Sequence, residues 1–149
     1  MAGLAFTLST GSVAYTTATK TIMQIVAASN HRVLINEVSI GFLGVLATEV
    51  PVHVQILAQT TAGTMSSLTP VKTNSSDDET LQTTAQHTAT AEPTAGNVIW
   101  ADVFHPQTAR RITFNPGREL VIPGGTRLGL RLLSPAQSGT VSVTAMCVE

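Results

Sequence analysis

A chain of 149 residues with a formal net charge of -1 and a pI near 6.4 is one domain's worth, a size that buries roughly 68–70% of the unfolded surface without staples. Hydrophobic residues make up 43%, aromatics 4% and charged residues 11%, against about 25% charged in an average domain. The core must therefore be aliphatic, and the surface is either covered with Thr, Ser and Gln or hidden between subunits. No basic stripe extends beyond Arg110-Arg111, which argues against a nucleic-acid backbone as partner, and no run approaches the ~18 apolar residues of a membrane span.

Residues 1–19 form an N-terminal strand, Leu4–Ser9, and a Thr-rich lead-in, separated by the turn Thr10-Gly11-Ser12. Lys20–Ala27 follows, with Ile22 and Val26 opposing Met23 and Ile25. In His31–Phe42 the residues Leu34, Val38, Ile40 and Phe42 share one face, and Glu37 and Ser39 the other. Asn36 falls on the apolar face, which predicts a strand end or a bond to a backbone group. Pro51–Gln59 alternates most cleanly: Val52, Val54 and Ile56 point inward, while His53, Gln55 and Gln59 point outward. After the turn Thr61-Ala62-Gly63, one short strand crosses Met65–Lys72, and Pro70 assigns it to a sheet edge.

The stretch 74–97 is polar and too long for an ordinary structureless loop. Within it Thr83, Ala85, His87 and Ala89 alternate with Gln82, Thr84, Gln86 and Thr88. This is either a long polar loop or a thin strand or arm, whose small side chains suit close packing against a neighbouring subunit. Val98–His105 carries the only Trp and stops at Pro106. Trp100, Asp102 and Phe104 share one of its faces, and Ile99, Ala101 and Val103 the other, as in an interior strand or a subunit contact.

The last third, Arg110–Glu149, holds four β-like runs between turns at Asn115-Pro116-Gly117, Pro123-Gly124-Gly125 and Ser134 to Gly139. Thr126, Leu128, Leu130 and Leu132 oppose Arg127, Gly129 and Arg131, and Val141, Val143, Ala145 and Cys147 oppose Thr140, Ser142, Thr144 and Met146. A period of two, with turns about every ten residues and no 3.6-residue periodicity, predicts an all-β chain. We expect a single domain over residues 1–149, an antiparallel β-sandwich of jelly-roll type with roughly eight to ten short strands and little or no helix.

Signals for chemistry are sparse. His31, His53, His87 and His105 stand singly, without the spacing of metal ligands. Asp77-Asp78-Glu79 is a solvated loop tip in preference to a calcium site. There is no G-x-S-x-G, Gly124-Gly125 lacks the context of a phosphate loop, and Cys147 sits in an alternating strand as a small buried thiol. The expectation is a non-enzyme with no cofactor and no metal. The candidate subunit-interface residues are Thr83, Ala85, His87, Ala89, Trp100, Phe104 and Arg131. Trp is enriched at interface hot spots, and an outward Arg at a symmetric contact can fix register.

Taken together, QTTAGTMSSLTPVK, TTAQHTATAEPTAG, HPQT after the Trp strand, and the ending PGRELVIPGGTRLGLRLLSP…VSVTAMCVE resemble small all-β proteins encoded among the structural genes of tailed bacteriophages. The nearest type is the jelly-roll head-decoration, or capsid cement, protein. That resemblance implies a homotrimer on the capsid exterior, bound to the major capsid protein of a phage head, with no nucleic acid and no membrane as partner. It implies a virion protein made in the host cytoplasm without a signal peptide, and it carries over no individual binding residues. Unlike some decoration proteins the chain shows no long N-terminal arm, so the grip would come from Met1–Thr10 or from loops at one end of the sandwich. The alternative is a trimeric fibre, receptor-binding or carbohydrate-binding β-sandwich module.

Overall fold

The computed structural model describes residues 3–149, in which apolar–polar alternation broken by turns gives thirteen strands and no helix. One sheet contains β1 (Ala5–Ser9), β2 (Val13–Tyr15), β4 (Val33–Leu43), β7 (Val71–Lys72), β10 (Arg110–Thr113), β11 (Leu120–Ile122) and β13 (Gly139–Val148). Its order is β10-β4-β13-β1-β7, with β11 also paired to β4 and β2 to β13. The other contains β3 (Lys20–Val26), β5 (Val52–Gln59), β6 (Thr64–Leu68), β8 (Thr84–Ala91), β9 (Ala95–Phe104) and β12 (Arg127–Leu132), in the order β6-β8-β3-β12-β5-β9. Every pairing is antiparallel, and the two sheets pack as a β-sandwich.

The chain crosses between the sheets eight times, from β2 to β3, β3 to β4, β4 to β5, β6 to β7, β7 to β8, β9 to β10, β11 to β12 and β12 to β13, so the two sheets are wound together strand by strand. Strands β6 and β8 pair and lengthen the sheet of β3, although β7 between them in sequence belongs to the other sheet. Among the described residues there are thirteen strands where eight to ten were expected, in part because β2 is too short to show a period. Met65–Lys72 is likewise two strands. Pro70 cannot donate to a ladder, and around it the chain leaves the edge of one sheet at β6 for the edge of the other at β7.

The core is aliphatic, as the composition requires. Val54, Ile56, Leu128, Leu130 and Leu132 meet Phe6, Leu8, Ile35, Val38, Ile40, Val141, Val143 and Ala145, all buried. Leu34 does not share the face of Val38 and Ile40. Opposite β13, Met146 pairs with Glu37 but Cys147 pairs with Ile35, so Asn36 is an extra residue. A bulge of this kind reverses parity, placing Val33 and Ile35 inside before it and Val38 and Ile40 inside after it. The carbonyl of Asn36 accepts the backbone N–H of Phe114 at 2.8 Å.

Of the alternatives for 74–97, the thin strand is the one that forms, as β8. Lys72 Nζ donates to the carbonyl oxygens of Asp77 at 2.7 Å and Glu79 at 2.6 Å, which folds the acidic run around an ammonium. The Glu149 carboxylate then accepts the N–H groups of Gln82 and Thr83, both at 2.8 Å, and delivers the chain into β8. That strand lies between β6 and β3, inside a sheet.

Candidate interaction surface

The residues singled out from sequence do not converge. Strands β8 and β9 sit on opposite sides of their sheet, with β3, β12 and β5 between them. Thr83 and Ala85 at 3% exposure, Phe104 at 5% and Ala89 at 6% are part of the chain's own interior. Their side chains are used up in folding, and a partner could reach them only by unfolding the strand. His87 is half-buried, with Nδ1 2.8 Å from the hydroxyl of Thr88, a residue held at φ +58. Trp100 is half-buried against the core. Arg131 Nε donates to Gln55 Oε1 at 2.9 Å on the neighbouring strand, an ordinary cross-strand bond within one chain.

The exposed apolar side chains lie elsewhere, in two main groups. One is the flank where the edge strand β9 approaches β11. Val98, Ile99 and Val103 are 45%, 48% and 54% exposed, and Val121 of β11 is 46% exposed. Ile99 and Val121 line one shallow groove together with Ala58, Ile122 and Pro123. The second group is the connection from β4 to β5, where Leu43, Leu46 and Val50 are 52%, 66% and 42% exposed. Its end is tethered by the Val50 N–H donating to Gln137 Oε1 at 3.3 Å. The Glu49 carboxylate of this connection stands near buried Tyr15, whose ring is edge-on to Phe42 at 6.0 Å and whose phenol pKa is raised by burial and by that carboxylate.

A long free edge is an invitation to strand addition, and proteins usually blunt it. Here the Asp102 carboxylate accepts the Val103 N–H at 2.8 Å and the Arg110 Nε–H at 3.0 Å. Arg110 is in turn held over the Phe104 ring at 5.4 Å. The other half of β9 carries ladder irregularities, since Ile56 pairs with Trp100 but Leu57 with Val98. Ile99 is the residue left over, which turns its side chain toward Val121.

Among the described residues no group of three or more His, Cys, Asp or Glu side chains converges as metal ligands would. Burial pushes the Cys147 thiol up to about 12 from an ordinary 9.0. The unfolded thiol ionises above about pH 9 while the folded one keeps its proton, so this group's contribution to stability falls as pH rises between those values, by ~1.4 kcal/mol per unit. The native thiol should resist a disulfide reagent at pH 8 and react only on unfolding; stoichiometric labelling of the native protein within minutes would refute that burial. Sequence reasoning missed Lys72, whose partners Asp77 and Glu79 lie in the next loop, and Glu92 and Glu149, whose partners are distant in the chain. Their only signal was a lone charge in an otherwise polar run.

No family model matches the chain, and neither a curated protein nor a solved structure does.

Proposed function

We propose that this chain is a structural virion protein, a capsid decoration or cement protein that binds the outside of an assembled phage head as a homotrimer and stabilises it. The resemblance of its sequence runs supports this reading, and one structural observation carries it further. The sandwich holds out three exposed aliphatic side chains, Leu43 at the end of β4 and Leu46 and Val50 in the connection to β5. A cement protein binds the lattice and not the loose subunit, so mass action favours the assembled shell, and three linked copies multiply a weak loop contact through effective concentration. Such a role draws on a stiff frame and apolar contact points instead of a pocket. The carbohydrate-binding alternative has less behind it, since Tyr15 is buried and Trp100 half-buried, leaving little aromatic surface for stacking.

Purified heads of the encoding phage, stripped of this protein, provide the test. Wild type should co-sediment with heads and ignore free capsid subunit. Burying one Leu contributes roughly 1.5–3 kcal/mol, so Leu46→Asp should weaken head binding at least about tenfold while leaving the melting temperature nearly unchanged. Wild type that fails to bind heads would overturn the reading.

A further inference from the structure

We infer that the flank formed by β9 and β11 is a subunit contact, covered in solution by another copy of this chain. The inference deepens the homotrimer part of the reading above, and its test uses no capsid.

The flank is apolar by construction. The ladder irregularity between β5 and β9 turns Ile99 away from its expected face and against Val121, while Val98 and Val103 stay out in solvent. Four aliphatic side chains about half exposed leave on the order of 300 Å² of apolar surface, and exposed Ala95, Ala101 and Pro123 stand among them. A stable contact buries roughly 800 Å² per partner, a little over half of it apolar. The flank matches the apolar centre of such a contact and is too small for a more extensive one.

Its charges specify the partner. Along β9 the sole charge is Asp102, already paired with Arg110 at 3.0 Å, and Arg127 stands at the rim of the groove. A nucleic acid, a lipid headgroup or an acidic peptide would need a cluster of unpaired positive charge. A second copy needs none, because copies meeting around the three-fold axis of a homotrimer bring the same neutral aliphatic face together. The mode of contact follows from the blunted edge. With the Val103 N–H held by Asp102 and the ladder broken near Ile99, the copies meet by side-chain packing and do not extend each other's sheets.

Val98→Lys/Ile99→Lys, measured by light scattering over a concentration series, tests the assignment. Wild type should run as an oligomer, and the variant should shift to the 15.6 kDa protomer, or at least dissociate about tenfold more readily, with an unchanged β-type circular dichroism spectrum. In parallel, Val98→Cys should form an intermolecular disulfide under mild oxidation, because the native Cys147 is buried and does not compete. Val71→Cys, exposed on the far edge strand β7, should not. A monomeric wild type, a lysine variant of unchanged mass, or equal crosslinking at both positions would overturn the inference. Head binding by a lysine variant that keeps its oligomeric mass would sink this surface and leave the capsid reading standing; dissociation without head binding by wild type would do the reverse.

Discussion

Phe104→Ala should lower the free energy of unfolding by about 3–5 kcal/mol, seen as a fall of roughly 10 °C in melting temperature for a domain of this size. The ring is 5% exposed. It meets Phe42 edge-on at 5.9 Å, and Phe42 meets Tyr15 edge-on at 6.0 Å. The three rings bridge the two sheets, since Phe104 belongs to β9 while Phe42 and Tyr15 lie on β4 and β2. Aromatic contacts of this geometry add ~0.5–1.5 kcal/mol to the area term, whereas Arg110, partly exposed and screened, adds little. The measurement separates two roles for one residue. A subunit-contact residue, when truncated, would dissociate the oligomer and leave the protomer's melting temperature where it was; a core residue would lower that temperature at every protein concentration. Phe104→Leu should recover more than half of the loss, because it refills most of the volume.

That residue also shows how far sequence pattern reaches. Strands β12 and β13 were legible to the residue, with Leu128, Leu130, Leu132, Val141, Val143, Ala145 and Cys147 all buried. Each keeps one parity over its core-facing side chains, so alternation alone identifies the inner face. Strand β9 was ambiguous because Trp100, Asp102, Phe104 and Ile99, Ala101, Val103 are both coverable faces. The candidate contact residues on this strand, Trp100 and Phe104, lie on the face that the core occupies. Parity in β9 and β4 is reset by bulges at Ile99 and Asn36, and a bulge is decided by the partner strand, which no local window contains. The same holds for β8. Its small residues read equally as a thin strand, an arm or a loop while the β6 and β3 ladders on either side of it were unknown, and the strand is what forms. Leu46 lay in a connection marked by Gly41, Gly44 and Pro51, and an apolar residue there folds inward or stays out according to what lies beneath it. Tyr15, near which the Glu49 carboxylate of this connection stands, is already packed against Phe42.

Gln59→Leu should cost about 2–3 kcal/mol, although Gln59 reads from the sequence as an outward, solvated residue. It does point to the outer face of its sheet, but it is only 5% exposed, beside Gln24 and Thr21 at 0%. Gln24 Nε2 donates to Gln59 Oε1 at 2.7 Å and to the carbonyl of Thr61 at 3.2 Å, and Gln59 Nε2 donates to the Thr21 hydroxyl at 3.0 Å. Thr21 needs outside help because Ile22 is an extra residue opposite β12. The Glu92 carboxylate supplies it, accepting the Thr21 N–H at 2.8 Å and its hydroxyl at 2.6 Å. Two turns, 60–63 and 92–94, thus close over the outer face of the sheet, joined by the Thr60 N–H donating to the Thr94 carbonyl at 3.0 Å. Gly129 leaves the room for this, since a side chain there would collide with the Gln59 amide. Removing one member strands a buried donor, which costs about 1–3 kcal/mol, whereas removing both partners is far cheaper. The Gln24→Leu/Gln59→Leu double variant should therefore lose at least ~1 kcal/mol less than the sum of the two single losses. Strict additivity in urea unfolding would mean that the two amides do not depend on each other and that the turns are held by the Glu92–Thr21 bonds alone.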